Sequence, residues 1–318
     1  MTGNELSAPL VVITGPTAVG KTRFALDIAE MFHGQIISAD SRQIYRYMDI
    51  GTAKPTTAER QHVPHHMIDV VNPDENLSLA QYVSQAKDQI ERLQKQGKLP
   101  MLVGGTAQYI NALIEGWSIP EVAPNPELRA ELEAFAEQNG ALALYEKLKA
   151  VDAPAAEKIE YQNVRRVVRA LEVYHTTGTP ISELQRKNPP AYITRSYVLT
   201  LERETLYQRA DQRVDAMMEV GFLDEVRDLL ERGYSPDLPA MSGIGYSQLA
   251  QHLKGELSLE TAVEQTKIGT HRFIRHQYTW FRKYNQSYLW HNVEQTSPDD
   301  LIKDIQQWLD QPSGHQSR

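Results

Sequence analysis

The run Gly15-Pro16-Thr17-Ala18-Val19-Gly20-Lys21-Thr22 constrains this chain more than any other stretch. The apolar residues Leu10 to Ile13 lead into it and Phe24-Ala25-Leu26-Asp27-Ile28-Ala29 leads out, so the turn joins a strand to a helix. In that setting the glycines let successive N–H groups face one anion, and the helix N-terminus adds partial positive charge. Lys21 contributes a full charge, and the Thr22 hydroxyl is placed to ligate Mg2+. The pattern predicts a site for a di- or triphosphate. A kinase, an ATPase and a transferase that expels pyrophosphate all need such a cradle, so the reaction has to be read elsewhere.

At 318 residues the chain exceeds what one small core organises, which favours two domains or one large domain with an insertion. No run approaches the ~20 apolar residues of a membrane-spanning helix, and Met1 to Pro9 lacks the basic and apolar parts of a signal peptide. A cytoplasmic protein with no membrane partner is expected. The absence of cysteine excludes disulfides, thiolate zinc sites and a cysteine nucleophile, leaving Mg2+ carried on phosphates as the expected metal. A formal net charge of -8 weighs against nucleic acid unless basic residues gather on one face.

After the loop helix, Gln35-Ile36-Ile37-Ser38-Ala39 reads as a short buried strand that delivers Asp40 at its carboxyl end, where open α/β sheets bind ligands. Asp40-Ser41-Arg42-Gln43 would then face the phosphate loop; alternatively Asp40 only caps a helix over Ser41 to Tyr47. Ile50 to Pro55 reads as a loop, and Val63 to Val70 as the approach to another strand, on which His65 and His66 would point to opposite faces and share no metal. Ser78-Leu79-Ala80-Gln81 has the capping-box form and starts a helix, and Leu99 to Val103 is a strand ending in Gly104-Gly105-Thr106.

From about Pro120 the alternation of strand and helix stops, and helices are expected from Asn125-Pro126, over Ala141 to Ala150 and over Asn163 to Thr176. In the last of these Val164, Val167, Val168 and Leu171 make a buried face, while Arg165, Arg166 and Arg169 are either solvated or hold an anionic polymer. Ser196 to Leu201 returns to strand composition. Arg209 and Arg213 then share a helical face, and either close over a pyrophosphate or pair with Asp211 and Asp215. Lys267 to Lys283 contains no acid and interleaves basic residues with Phe273, Tyr278, Trp280 and Phe281, which is a footprint for RNA or the core stripe of an amphipathic helix. The expected fold is α/β, a parallel sheet of the P-loop NTPase kind flanked by helices, with an inserted all-helical subdomain. Its expected parts are a first core segment over 1–119, the insertion over 120–195, a returning core segment with the basic helix over 196–290, and a peripheral tail over 291–318.

Together the motifs resemble bacterial tRNA dimethylallyltransferases, the isopentenyl (IPP) transferase family. The resemblance rests on the phosphate loop at 15 to 22, Asp-Ser-Arg-Gln-Ile-Tyr at 40 to 45, Ile-Gly-Thr-Ala-Lys-Pro at 50 to 55 and Val-Gly-Gly-Thr at 103 to 106. It continues through Asn-Val-Arg-Arg-Val-Val-Arg-Ala-Leu-Glu-Val at 163 to 173 and Arg-His-Gln-Tyr-Thr-Trp-Phe-Arg at 275 to 282, in family order over nearly the whole chain. After Gly-Gly-Thr the family usually has Gly-Leu-Tyr, where this chain has Ala107-Gln108-Tyr109. It is also commonly richer in arginine than His271-Arg272-Phe273-Ile274-Arg275-His276.

The resemblance implies that dimethylallyl diphosphate lays its pyrophosphate on Gly15, Pro16, Thr17, Ala18, Val19, Gly20, Lys21 and Thr22, with Mg2+ on Thr22 and with Arg209 or Arg213 above it. The prenyl group would pass to N6 of adenosine 37 of a tRNA, with Asp40 taking the proton, Thr106 orienting Asp40 or the amine, and Lys21 neutralising the leaving group. The base has to leave its stack to reach the pocket. Asp40, Ser41, Arg42, Gln43 and Thr106 would touch that nucleotide. Arg129, Gln162, Asn163, Val164, Arg165 and Arg166 of the insertion, with Arg272, Arg275 and Gln277, would hold the anticodon arm, the enzyme acting as a monomer. Two other readings keep the phosphate loop. A small-molecule kinase would use Asp40 to activate a hydroxyl but has no need of an acid-free aromatic helix. A nucleotide-switched RNA-binding module would bind RNA equally well without Asp40.

Overall fold

The computed structural model describes residues 8–185, 187–188, 192–284 and 288–311. Its first strand, β1 (Ala8–Thr14), is fully buried from Leu10 to Ile13, as an apolar run covered on both faces must be. The phosphate loop leads directly into α1 (Lys21–Met31), which turns Phe24, Ala25, Ile28 and Ala29 inward at helical spacing. Next come β2 (Gln35–Ser38), α2 (Thr57–His62), the short β3 (His65–His66), α3 (Leu79–Lys95), β4 (Pro100–Gly104) and α4 (Ala107–Ile114). Reciprocal capping boxes start α2 and α3, Thr56 with Glu59 and Ser78 with Gln81.

Residues Glu115–Pro190 form a compact unit of their own. It contains α5 (Pro126–Asn139), α6 (Ala141–Val151), α7 (Ala153–Ala156), α8 (Val164–Thr177) and α9 (Ile181–Leu184). Its core is built from Leu132, Leu144, Leu148, Val167, Val168, Leu171 and Ile181. The Asn125 side chain accepts from Leu128 N at 3.1 Å and Pro126 occupies the first turn, which sets where α5 begins.

The larger unit resumes with β5 (Tyr192–Thr200), α10 (Arg203–Glu219), α11 (Phe222–Glu231), a 3-10 turn at Ala240–Ser242, α12 (Tyr246–Leu253), α13 (Leu259–Lys283), β6 (Leu289–Asn292) and α14 (Pro298–Leu309). All strand pairs are parallel, in the order β3-β2-β4-β1-β5-β6. Thr14 lies level with Gly104, and Ser38 with Val103, so the carboxyl ends of β1, β2 and β4 release their loops side by side. That edge is where a sheet of this topology binds ligands. No helix among the described residues is long and apolar enough to cross a membrane.

Two expectations are corrected. Ser41 to Tyr47 forms turns and a single bridge from Tyr45 to Val71, because Asp40 Oδ1 captures Arg42 N at 2.8 Å and Tyr47 adopts a φ of 66°, which no α-helix contains. The stretch from 291 to 311 is not peripheral, and the rest of the expected tail, 312–318, lies outside the described residues. β6 extends the sheet beyond β5, and α14 buries Leu301, Ile305 and Trp308 in the same cluster as the inner face of α1. Arg195 of β5 fastens α14 through both Asp304 oxygens, at 2.9 and 2.5 Å. The polar outer face of α14 hides that stripe from a reading by composition.

Candidate active site

A solvent-open cavity lies where these loops meet. Thr17, Ala18, Gly20, Lys21 and Thr22 line it from the phosphate loop, Asp40 and Gln43 from the end of β2, Val103 and Gly104 from β4, and Arg213 from α10. Ala25, Ile36, Ser38, Thr52, Ala53, Pro55 and His65 complete the wall. The loop enters its curl at Gly15, where φ is 148° and a Cβ would stand 2.4 Å from Leu199 O, so no side chain fits.

Lys21 is half-buried as a whole, but its ammonium is turned inward and donates to Gly15 O at 3.0 Å and Pro16 O at 2.8 Å. Burial, with the like charge of Arg213, lowers its pKa to about 7, against the opposing influence of Asp40. Arg213 keeps much of its side chain in solvent, yet burial at the cavity lowers its pKa too. His65 faces the cavity while His66 bonds Gln35 on the other side of β3, and burial lowers the pKa of both.

Of the residues expected at the acceptor, Asp40 is in the cavity, but its neighbours have other duties. Thr106 Oγ1 accepts from Ser41 N at 2.9 Å and donates to Ser41 Oγ at 3.3 Å, so it orients Ser41 rather than Asp40. Arg42 donates to Pro239 O at 2.8 Å, Ala240 O at 3.2 Å and Ser242 Oγ at 3.3 Å. Gln43 accepts from Ser38 Oγ and donates to Thr52 O and Ala53 O.

Gln277 departs furthest from expectation. It is buried, its oxygen accepting from Thr17 N and its nitrogen donating to Gly105 O, both at 3.0 Å. It therefore joins the phosphate loop to the Gly-Gly-Thr loop and is not free to meet RNA. Elsewhere on α13, Arg272, Phe273, Arg275 and His276 are exposed, with Arg275 reaching Tyr207 Oη at 3.3 Å. Asp211 and Asp215 pair with His271 and Lys267 of α13, at 2.8 and 2.6 Å, rather than with Arg209 or Arg213. Arg209 is exposed and does not line the cavity.

In the helical unit Gln162, Arg165 and Arg166 are exposed, Asn163 caps α8 by accepting from Arg166 N, and Val164 packs on the core. Arg129 is not free: its guanidinium takes both oxygens of the buried Glu172 at 2.8 Å, and Arg169 joins the same carboxylate at 2.6 Å. Burial pushes the Glu172 pKa up, but these guanidiniums and Asn125 N outweigh it and hold the acid at about 2.

A family model described as IPP transferase matches residues 43–284 of this chain. The chain belongs to the IPP transferase family. A tRNA dimethylallyltransferase of Roseiflexus castenholzii is 55% identical over 275 residues, 86% of this chain and 90% of that protein. One from Dehalococcoides mccartyi is 46% identical over 96% of this chain and 94% of its own length. Among solved structures, the full-length tRNA isopentenylpyrophosphate transferase of Bacillus halodurans is 39% identical, with a TM-score of 0.69 over 95% of each chain. A eukaryotic dimethylallyltransferase acting on tRNA is 27% identical with a TM-score of 0.77, covering 96% of this chain and 77% of that one. For an IPP transferase, the acid-free basic and aromatic stretch of α13 has a use that the kinase alternative lacked. That stretch is the later part of the helix, Lys267 to Lys283, since Glu260 and Glu264 lie in its first two turns. Pro55 lies in the motif at 50 to 55, and His65 is one of a pair read as structural or substrate-lining; motif reading missed only Glu225 behind the wall, which acquires its place through residues distant in sequence.

Proposed function

We propose that the chain transfers the dimethylallyl group of dimethylallyl diphosphate to N6 of adenosine 37 in tRNA, releasing diphosphate, as a monomer in the cytoplasm. The observation that carries this is a single cavity combining an anion cradle, Lys21, Thr22 and Arg213 with the loop amides, and a carboxylate, Asp40. In the reaction the N6 nitrogen bonds the allylic carbon, the C–O bond breaks with its electron pair going to diphosphate, and the N6 proton goes to Asp40. An adenine amine is a poor nucleophile because its lone pair is delocalised, so a proton acceptor helps as the bond forms. Lys21 and Arg213 offset the charge that builds on the departing diphosphate.

Among the described residues no three His, Cys, Asp or Glu gather to hold a metal unaided. The hydroxyl of Thr22 lines the cavity within the anion cradle and is a hard oxygen donor, which fits Mg2+ shared with a diphosphate and leaves Asp40 to take the proton. When bound there it would neutralise phosphate charge. The exposed arginines of α8 and α13, with Phe273, suit an RNA backbone and an unstacked base.

The test mixes the protein, Mg2+, unmodified tRNA and labelled dimethylallyl diphosphate. The wild type is expected to label the tRNA, and Asp40→Asn to slow transfer by about 100-fold or more, the lower range for loss of a general base. Absence of label together with ATP turnover on a small acceptor would overturn the reading.

A further inference from the structure

Glu225, in the first turn of α11, makes no ion pair among the described residues. Its Oε2 accepts from the backbone N–H of Asp49 and Ile50 at 2.8 and 2.7 Å. Its Oε1 accepts from Gly51 N at 3.1 Å and from the Tyr246 hydroxyl at 2.6 Å. Successive N–H groups converging on one anion form the concavity that elsewhere binds phosphate. Here the protein fills it with a side chain of α11.

The segment so held lies close against α11 and α12. A Cβ on Gly51 would stand 2.2 Å from the Phe222 ring and 2.6 Å from that of Tyr246. It is gripped again where Gln43 Nε2 donates to Thr52 O and Ala53 O, at 3.3 and 3.2 Å. Beyond these, buried Lys54 bonds Tyr45 O, Asp49 and Asp69. Between the grips Ala53 is held at a φ of 49°, a left-handed conformation that alanine adopts only when its neighbours impose it. What this segment presents to the cavity is Thr52, Ala53 and Pro55, the last two adding to the apolar lining supplied by Ala18, Ala25, Ile36 and Val103.

We infer that Glu225 is a positioning residue: seated in the amide concavity of residues 49–51, it fixes the cavity wall that measures the hydrocarbon end of the donor, so that dimethylallyl diphosphate is taken in preference to geranyl diphosphate. The inference rests on the transferase reading. It makes Glu225 part of substrate selection without contact to substrate.

Full-length protein, Mg2+ and unmodified tRNA are given both donors in competition, and the ratio of the two kcat/KM values is measured. Because both donors compete for the same folded sites, loss of folded protein cancels from the ratio. Glu225→Gln sets an amide NH2 against the N–H of Gly51 or those of Asp49 and Ile50. It is expected to shift the ratio towards geranyl diphosphate by about tenfold or more, the scale on which pockets discriminate by hydrocarbon size. Tyr246→Phe removes the hydroxyl's bond to Glu225 and its contact with the Gly51 amide, but none of the three amide bonds that Glu225 itself accepts, and is expected to keep the ratio within about twofold of wild type. Glu225→Asp carries the same expectation as Glu225→Gln and replaces it if that variant does not fold. Equal losses on both donors, or an equal shift from Tyr246→Phe, would mean that the carboxylate only stabilises the packing of α11 and α12, and the inference would fall. Failure of the transferase reading looks different, since the wild type would then transfer neither donor to tRNA.

Discussion

An ammonium folded back onto carbonyls of its own loop, as Lys21 is onto Gly15 and Pro16, is held ready for a better partner. Its pKa of about 7 reflects burial and Arg213, and a bound diphosphate raises it again by supplying opposite charge. Pyrophosphate binding near pH 8 is therefore expected to take up about one proton. Calorimetry would register this as a binding enthalpy that varies with the ionisation heat of the buffer, and Lys21→Met should abolish the variation. Affinity should fall as pH rises above about 7. The effect on stability of the empty protein runs the other way. Between about pH 7 and the ordinary lysine range the unfolded chain keeps a proton that the folded site has released, so stability rises with pH. Lys21, Thr22 and Asp40 were legible in the sequence because a strand end and a loop place them locally. Thr106 and Gln43 were legible as neighbours of the site but not in their roles, which depend on Ser41 and on the loop at 52–53.

At the level of elements, α8 shows how far spacing carries and where it stops. Its buried stripe of Val167, Val168 and Leu171 follows from local periodicity. Its arginines divide for a reason no periodicity contains: Glu172 on the same helix draws in Arg169, and Arg129 from α5. Arg165→Ala is expected to lower the slope of log tRNA affinity against log salt by about one and to change stability by less than ~0.5 kcal/mol. Arg129→Ala should instead destabilise the helical unit by about 1–3 kcal/mol. That is less than the full cost of breaking a buried pair, since Arg129 is partly exposed and Arg169 stays on Glu172. Denaturant titration of both variants separates the two outcomes. Likewise, α13 was visible as a basic aromatic helix, but the use of Gln277 lies 260 residues away at Thr17.

For the whole molecule, the α/β alternation and the all-helical interruption could be read from pattern, whereas the contribution of the last helix could not. α14 resembles a polar tail until Leu301, Ile305 and Trp308 are seen beside Phe24 and Ile28. Trp308→Ala is expected to cost about 3–5 kcal/mol, as for a core aromatic, and urea unfolding would measure it. A value near that of a surface change would return the segment to the periphery.

The same arrangement governs how the chain comes off the ribosome. The helix that follows the phosphate loop ends at Met31, and the helix that covers it begins only at Pro298. Roughly 270 residues, or about 15–50 s of synthesis, separate the two. β1 meanwhile waits for its neighbour β5. An element made early is thus completed late: α1 can settle on β1, β2 and β4 once Gly104 is made, but the part of its apolar face that meets Leu301, Ile305 and Trp308 stays uncovered until α14 emerges.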